Sequence, residues 1–155
     1  MTTQTAHPEA PIAVASQALG PVEIDPARAI RLVEPLAGFA ECLSYALVPH
    51  VRDGEESGAI QWLQALERPF HAFIVADPWN VFPDYAPEVS NADAGALGLA
   101  NSEDARLYVV LTVSGEGITA NLRAPIVVNA AERSAKQVVL LGDAYHTRHE
   151  VRRGA

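Results

Sequence analysis

The stretch Thr119-Ala120-Asn121-Leu122-Arg123-Ala124-Pro125-Ile126-Val127-Val128-Asn129 decides the fold class. Its triplet Ile126-Val127-Val128 is β-branched, a side-chain type that packs well on a pleated surface. Pro125 has no N–H for a ladder, so it belongs at a strand start or on an edge. Leu107 to Ser114 enters the stretch as a strand and Lys136 to Leu141 leaves it as another, which sets Thr119, Asn121 and Asn129 on a β scaffold. In the entering strand Leu107, Val109, Leu111 and Val113 form one face and Tyr108, Val110, Thr112 and Ser114 the other. Both faces are largely apolar, the pattern of a central strand. Ser114-Gly115-Glu116-Gly117 is the turn between them.

Upstream, Ile30 and Leu32 begin an alternating pattern near Ala27, and Pro35 with Gly38 punctuates a turn before Phe39. Leu43, Tyr45 and Leu47 alternate with Ser44 and Ala46, a strand signature that Pro49 is expected to close. Asp53-Gly54-Glu55-Glu56-Ser57-Gly58 reads as a solvated acidic loop. Ala59 to Leu66 and His71 to Ala76 then form an antiparallel hairpin around Glu67-Arg68-Pro69. The next dozen residues include Asp77-Pro78-Trp79-Asn80 and Phe82-Pro83-Asp84-Tyr85. Proline fixes φ and biases its predecessor toward extended geometry, so this segment is expected to cross the surface as a stiff, non-helical strap. Ser90-Asn91-Ala92-Asp93 has capping-box spacing and Gly98 supplies a stop, which predicts a short helix over residues 91–97.

Seven to eight strands joined by short turns, with one or two short helices, predict a mainly β, antiparallel fold, barrel-like or a sandwich. Residues 1–21 are rich in Ala, Pro, Thr and Gln without a sustained period; they are read as a disordered tail, and residues 22–150 as a single domain.

Composition bounds the function. The 155 residues are 49% hydrophobic and 19% charged, a globular balance. No apolar run approaches the ~18 residues of a membrane span, and neither a basic region nor an apolar signal core opens the chain, so the cytoplasm is the expected location. The lone Cys42 has no internal disulfide partner and is read as a small buried hydrophobe. Net charge is −8, with −6 in residues 1–77 and −2 in residues 78–155, which argues against direct nucleic-acid binding and is compatible with a basic protein partner.

Catalytic readings are weak. Gly115-Glu116-Gly117 lacks the following helix and carries an acid where a phosphate would sit. Asp143 with His146 and His149 lacks helical spacing and further metal ligands. Asp84 and His149 with a serine lack a nucleophile elbow. The strap aromatics either anchor the strap to the core or form a partner surface, since Trp and Tyr are enriched at hot spots; the two readings are compatible. Asn121 and Asn129 either touch a partner or satisfy turn N–H groups.

Taken together and in order, Gly38-Phe39, Trp62-Leu63-Gln64, Asp77-Pro78, Phe82-Pro83-Asp84-Tyr85, Thr119-Ala120-Asn121-Leu122, Ala124-Pro125-Ile126, Asn129, Lys136-Gln137 and Tyr145 with Thr147-Arg148-His149 resemble the flagellar assembly factor family, FliW. The resemblance spans roughly residues 28–149. Where the family has Gly-Leu-Pro-Gly-Phe, this chain has Glu34-Pro35-Leu36-Ala37-Gly38-Phe39. The resemblance implies a non-enzymatic cytoplasmic protein with no cofactor or metal. It also implies two protein partners: flagellin, and the RNA-binding translational repressor CsrA, which free FliW would hold away from flagellin messenger RNA. The rival expectation is a stand-alone flagellin chaperone. The contact surface is expected at Phe82, Asp84, Tyr85, Asn121, Asn129, Tyr145, Arg148 and His149.

Overall fold

The structure, a computed structural model, describes residues 10–151. Its framework is a ring of strands. β3 (Ala29–Leu32), β4 (Ser44–Arg52), β5 (Glu55–Ala65), β6 (Ala72–Ala76) and β7 (Ala105–Ser114) pair in succession. β7 continues to β9 (Ile126–Asn129), β9 to β10 (Ser134–Gln137), and β10 returns to β3. Six of these seven pairings are antiparallel, and β10 with β3 is parallel, Ser134 opposite Arg31 and Ala135 opposite Leu32. Parity requires this. Each antiparallel pairing reverses direction, and a closed ring must return to its starting direction. An odd ring therefore needs at least one parallel pair, and the wholly antiparallel expectation is corrected there.

All seven strands contribute to one lumen: Ile30, Tyr45, Leu63, Val75, Val110, Ile126 and Ala135 pack in it with Phe39 and Phe73. A second core lies on the outer face, where Val109, Leu111 and Val127 are covered by Tyr85, Leu97, Val138 and Leu140. Apolar side chains on both faces of β7 and β9 follow from this double burial. β7 is long enough to serve two partners on one edge. Its first half pairs with β9 (Ala105 opposite Asn129), and its last residues pair with β8 (Gly117–Ala120), which in turn pairs with β11 (His149–Glu150).

Several boundaries differ from expectation. The tail assigned to residues 1–21 is folded at least from Ile12, as the hairpin β1 (Ile12–Ser16) and β2 (Gly20–Ile24); residues 1–9 lie outside the described residues. Val14 and Ile24 close over Ala46 on the outside of β4, and small alternating residues hid that pattern. The described strands number eleven, because the hairpin, β8 and the two-residue β11 add to the ring. Pro49 does not end its strand; it sits at a register shift where no ladder N–H is needed. The acidic loop contracts to a turn at Asp53-Gly54, with Glu55 and Glu56 exposed on β5. The last strand is regular only to Gln137, although Val138 and Leu140 still donate to Pro125 and Arg123.

The strap also contains one helical turn, α1 (Pro78–Val81). Asp77 accepts the Trp79 N–H at 2.9 Å, and Pro78 at the first helical position is preorganised by its fixed φ. α2 (Asn91–Ala96) starts on the Ser90 cap, whose hydroxyl accepts the Asp93 N–H. It stops at Gly98 (φ +68°), where the Leu99 N–H returns to Ala94 and the Gly98 N–H to Gly95.

Candidate partner-binding surface

Tyr85 is the anchor of the strap. It is 4% exposed, and its hydroxyl donates to the Leu122 carbonyl at 2.6 Å. Burial, and then the neighbouring Tyr145, push its phenol well above the ordinary tyrosine range. The Trp79 indole donates to the Tyr85 carbonyl at 2.8 Å, and the Tyr145 ring meets Tyr85 edge-on at 4.7 Å. The Tyr145 hydroxyl accepts the Ala86 N–H at 2.8 Å. Three aromatic side chains thus fix the strap against the outer core and against the C-terminal segment.

That segment is held from both sides. The His146 carbonyl accepts the N–H groups of Leu122 and Arg123, each at 3.1 Å, and the Val151 N–H donates to Ile118. The His149 ring accepts the His146 N–H through Nε2 at 2.8 Å and stacks on the His146 ring. Phe82 meets His149 edge-on at 5.8 Å. Burial, helped by His146, lowers the His149 pKa from the ordinary imidazole value. An unprotonated Nε2 is required to accept that backbone N–H.

The structure therefore brings Phe82, Tyr85, Tyr145 and His149 into one cluster, with Asp84 and Arg148 exposed beside them on the same two segments. Asn121 is half-buried near this cluster, and its Oδ1 accepts the Ala124 N–H at 3.0 Å, which shapes the turn before Pro125. Two expected contact residues are instead internal. Tyr85 is core. Asn129 is 1% exposed and lies apart, donating to the Leu97 carbonyl at 2.8 Å and accepting N–H groups from Ala131 and Glu132. Asn129 ties the end of α2 to the β9–β10 turn, with both its amide nitrogen and its amide oxygen bonded to backbone.

One surface feature escaped the sequence reading. A groove of about 730 Å³ runs between the strap's continuation, Ala86 to Asp93, and the segment Val138 to Tyr145. Val139 and Leu141 are 63% and 93% exposed beside it. The expected strand Lys136 to Leu141 is apolar at four consecutive positions, Val138 to Leu141, a pattern that does not tell covered from exposed faces. Below the groove, the Lys136 ammonium lies 2.6 Å from Asp93 and 3.6 Å from Glu34. Among the described residues, no three His, Cys, Asp or Glu side chains gather closely enough to hold a metal ion, and no helix is long and apolar enough to cross a membrane.

Residues 13–151 match the family model described as FliW protein. The flagellar assembly factor FliW of Natranaerobius thermophilus is 33% identical over 139 residues, covering 88% of this chain and 89% of that one. The protein of the same description from Geotalea uraniireducens is 36% identical over 138 residues, covering 88% and 82%. A crystal structure of the flagellar assembly factor FliW superposes with a TM-score of 0.78 at 30% identity, covering 91% of this chain and 97% of the other.

Proposed function

The chain belongs to the FliW family of flagellar assembly factors, and on that premise we propose that it binds flagellin and antagonises the translational repressor CsrA. In this reading it acts by binding in the cytoplasm, without catalysing a reaction. Free protein holds CsrA away from flagellin messenger RNA, and newly made flagellin competes for the same protein. Flagellin synthesis is thereby coupled to assembly.

The observation that supports this most is the strap and C-terminal segment. A buried tyrosine fixes two backbone segments that carry exposed, chemically varied side chains. Asp84 and Arg148 are exposed, Phe82, Tyr145 and His149 are half-buried, and Asn121 borders them. We assign partner contact to these residues, with Tyr85 as their internal support. A preorganised surface loses little freedom on binding, the condition under which a small patch gives useful affinity.

Charge supplies the antagonism. CsrA must present Lys and Arg to RNA, and a body of net charge −8 docked beside that surface lowers its local potential. The exposed acids Asp53, Glu55 and Glu56 at one hairpin tip and Asp84 and Glu88 on the strap carry the field. Its reach is the Debye length, about 8 Å at physiological salt. Titrating flagellin leader RNA against the preformed complex tests this: antagonism weakens as salt rises. Antagonism independent of salt would remove the electrostatic part, and RNA binding unaffected by the protein at any salt would remove the reading itself.

A further inference from the structure

Among the described residues, the sheet is open along one edge beyond Val33. In β10 and its continuation the even-numbered residues turn their backbone groups toward β9: the Val138 N–H donates to Pro125 at 2.9 Å and the Leu140 N–H to Arg123 at 2.8 Å. The odd-numbered residues face the other edge, where the Val33 N–H donates to the Ala135 carbonyl at 2.9 Å. The ladder with β3 covers only Ser134 and Ala135, and the chain turns away at Glu34-Pro35. Among the described residues, the Val139 and Leu141 N–H groups donate to no protein acceptor. Natural sheets blunt such edges with Lys, Pro or a covering loop. Here the residues are Gln137-Val138-Val139-Leu140-Leu141, with large apolar side chains exposed at Val139 and Leu141.

The chemistry differs between the two faces of this edge. Val139 and Leu141 lie on one. On the other, with Lys136, are Asp93 and Glu34; Glu88 lies across the groove, which Val139 and Leu141 line too. Lys136 is the one cation in this group; it lies 2.6 Å from Asp93 and 3.6 Å from Glu34, so the acids outnumber it and the group keeps a net negative charge, with Glu34 and Glu88 exposed.

We infer that this edge receives an extended segment of a partner protein, added as a strand beside Gln137 to Leu141. Alternate side chains of that segment are apolar toward Val139 and Leu141 and basic toward Glu34 and Glu88. Strand addition draws affinity from main-chain hydrogen bonds and specificity from alternate side chains. The acidic rim, repeated in every copy, argues against a second copy of this chain as the occupant. Apart from Tyr145, which borders the groove, the site lies outside the residues assigned above to partner contact, so it extends that function and can fail without it.

The test is an NMR titration of the full ¹⁵N-labelled chain, to millimolar peptide, with a hexapeptide of alternating lysine and valine. A peptide of the same composition, with its lysines and valines in blocks, is the control. The expected result is amide shifts centred on residues 137–141, slowed exchange of the Val139 and Leu141 N–H groups, and at least tenfold weaker binding of the block peptide. Val139→Pro removes a donor the fold does not use; it keeps the parent's thermal midpoint and weakens binding at least tenfold, while Val139→Ala retains it within about threefold. Equal binding of both peptides, full binding by Val139→Pro, or shifts elsewhere would overturn the inference. So would protection of this edge that grows with protein concentration in the absence of peptide.

Discussion

The Tyr85 hydroxyl donates to the carbonyl of Leu122 across thirty-seven positions of sequence, at 2.6 Å, inside the outer core. This bond joins the strap to the link between β8 and β9, so the exposed side chains on both sides of it inherit one fixed geometry. Tyr85→Phe leaves the Leu122 carbonyl buried without that donor and should cost about 1–3 kcal/mol. Tyr85→Ala also empties an aromatic site and should cost about 3–5 kcal/mol. Urea denaturation measures both. An alanine variant as stable as the parent would show that the strap is not anchored there.

Asp84 and Arg148 are exposed, and neither makes a side-chain bond to the described fold. Alanine at either position should leave the thermal midpoint unchanged within about 2 °C, because surface substitutions seldom move stability beyond about ±0.5 kcal/mol. Each should nevertheless weaken binding of at least one partner roughly five- to tenfold, about 1–1.4 kcal/mol. Calorimetry on the variants separates this from loss of fold, and parent-like affinity for both partners in both variants would remove these residues from the contact surface.

The His149 clamp should respond to pH. The group's pKa in the folded protein is lowered by burial and by His146, so the folded state binds fewer protons than the unfolded state over that window. Its contribution is complete above the free imidazole value of about 6.5 and is lost as pH falls through the folded value. Protonation also converts Nε2 from acceptor to donor and abolishes the bond to the His146 N–H. Corrected for intrinsic chemistry, hydrogen exchange at the Leu122 and Arg123 amides, which bind the His146 carbonyl, should therefore quicken as pH falls below the ordinary imidazole range. His149→Gln keeps an acceptor without a titrating ring and should flatten that dependence. Exchange equally steep in the variant would assign it elsewhere, His71 being the other histidine whose pKa burial lowers.

Asp93 serves α2 and the sheet at once, taking a 2.9 Å bond from the Ser90 hydroxyl and a 2.6 Å bond from Lys136. The Lys136 hydrogen bond foremost lowers the Asp93 pKa, and the same bond raises that of Lys136. The stabilisation should be present above the ordinary carboxylate range and lost as pH falls through the lowered Asp93 value. At the other end it should be lost as pH rises beyond the ordinary lysine range through the raised Lys136 value. Asp93→Ala should cost about 1–3 kcal/mol at neutral pH, and Lys136→Met a comparable amount. If the two losses add in the double variant, the pair is not coupled.

Local chemistry was legible in the sequence where a few adjacent residues determine it. The Ser90–Asp93 box, the Gly98 stop, the Glu67-Arg68-Pro69 hairpin and the apolar faces of β7 are of that kind. Ring closure was not, because Arg31 and Ser134 meet across about a hundred residues, and no local pattern encodes that one pairing is parallel. The first hairpin was missed because Ile12, Val14 and Ser16 alternate with alanines in a proline-containing stretch, and its burial exists only against residues distant in sequence, Ala46, Val48, Leu66 and Phe70. In the site, both readings of the strap aromatics were available from sequence. Only the structure separates Tyr85, turned inward, from Phe82, which stays partly exposed. Asn129 likewise resolves into the turn chemistry that its residue type allows. The open edge at Val139 and Leu141 had no sequence signal, since an apolar run reads the same whether its neighbouring strand is present or has turned away.

The most direct test of the central claim is calorimetry with the purified full chain against flagellin and against CsrA from the same organism, separately and then in competition. The account predicts that each partner binds alone and that flagellin reduces CsrA binding in proportion to its own occupancy. Absence of CsrA binding at micromolar concentrations, with flagellin still bound, would contradict the coupling and leave only a flagellin chaperone.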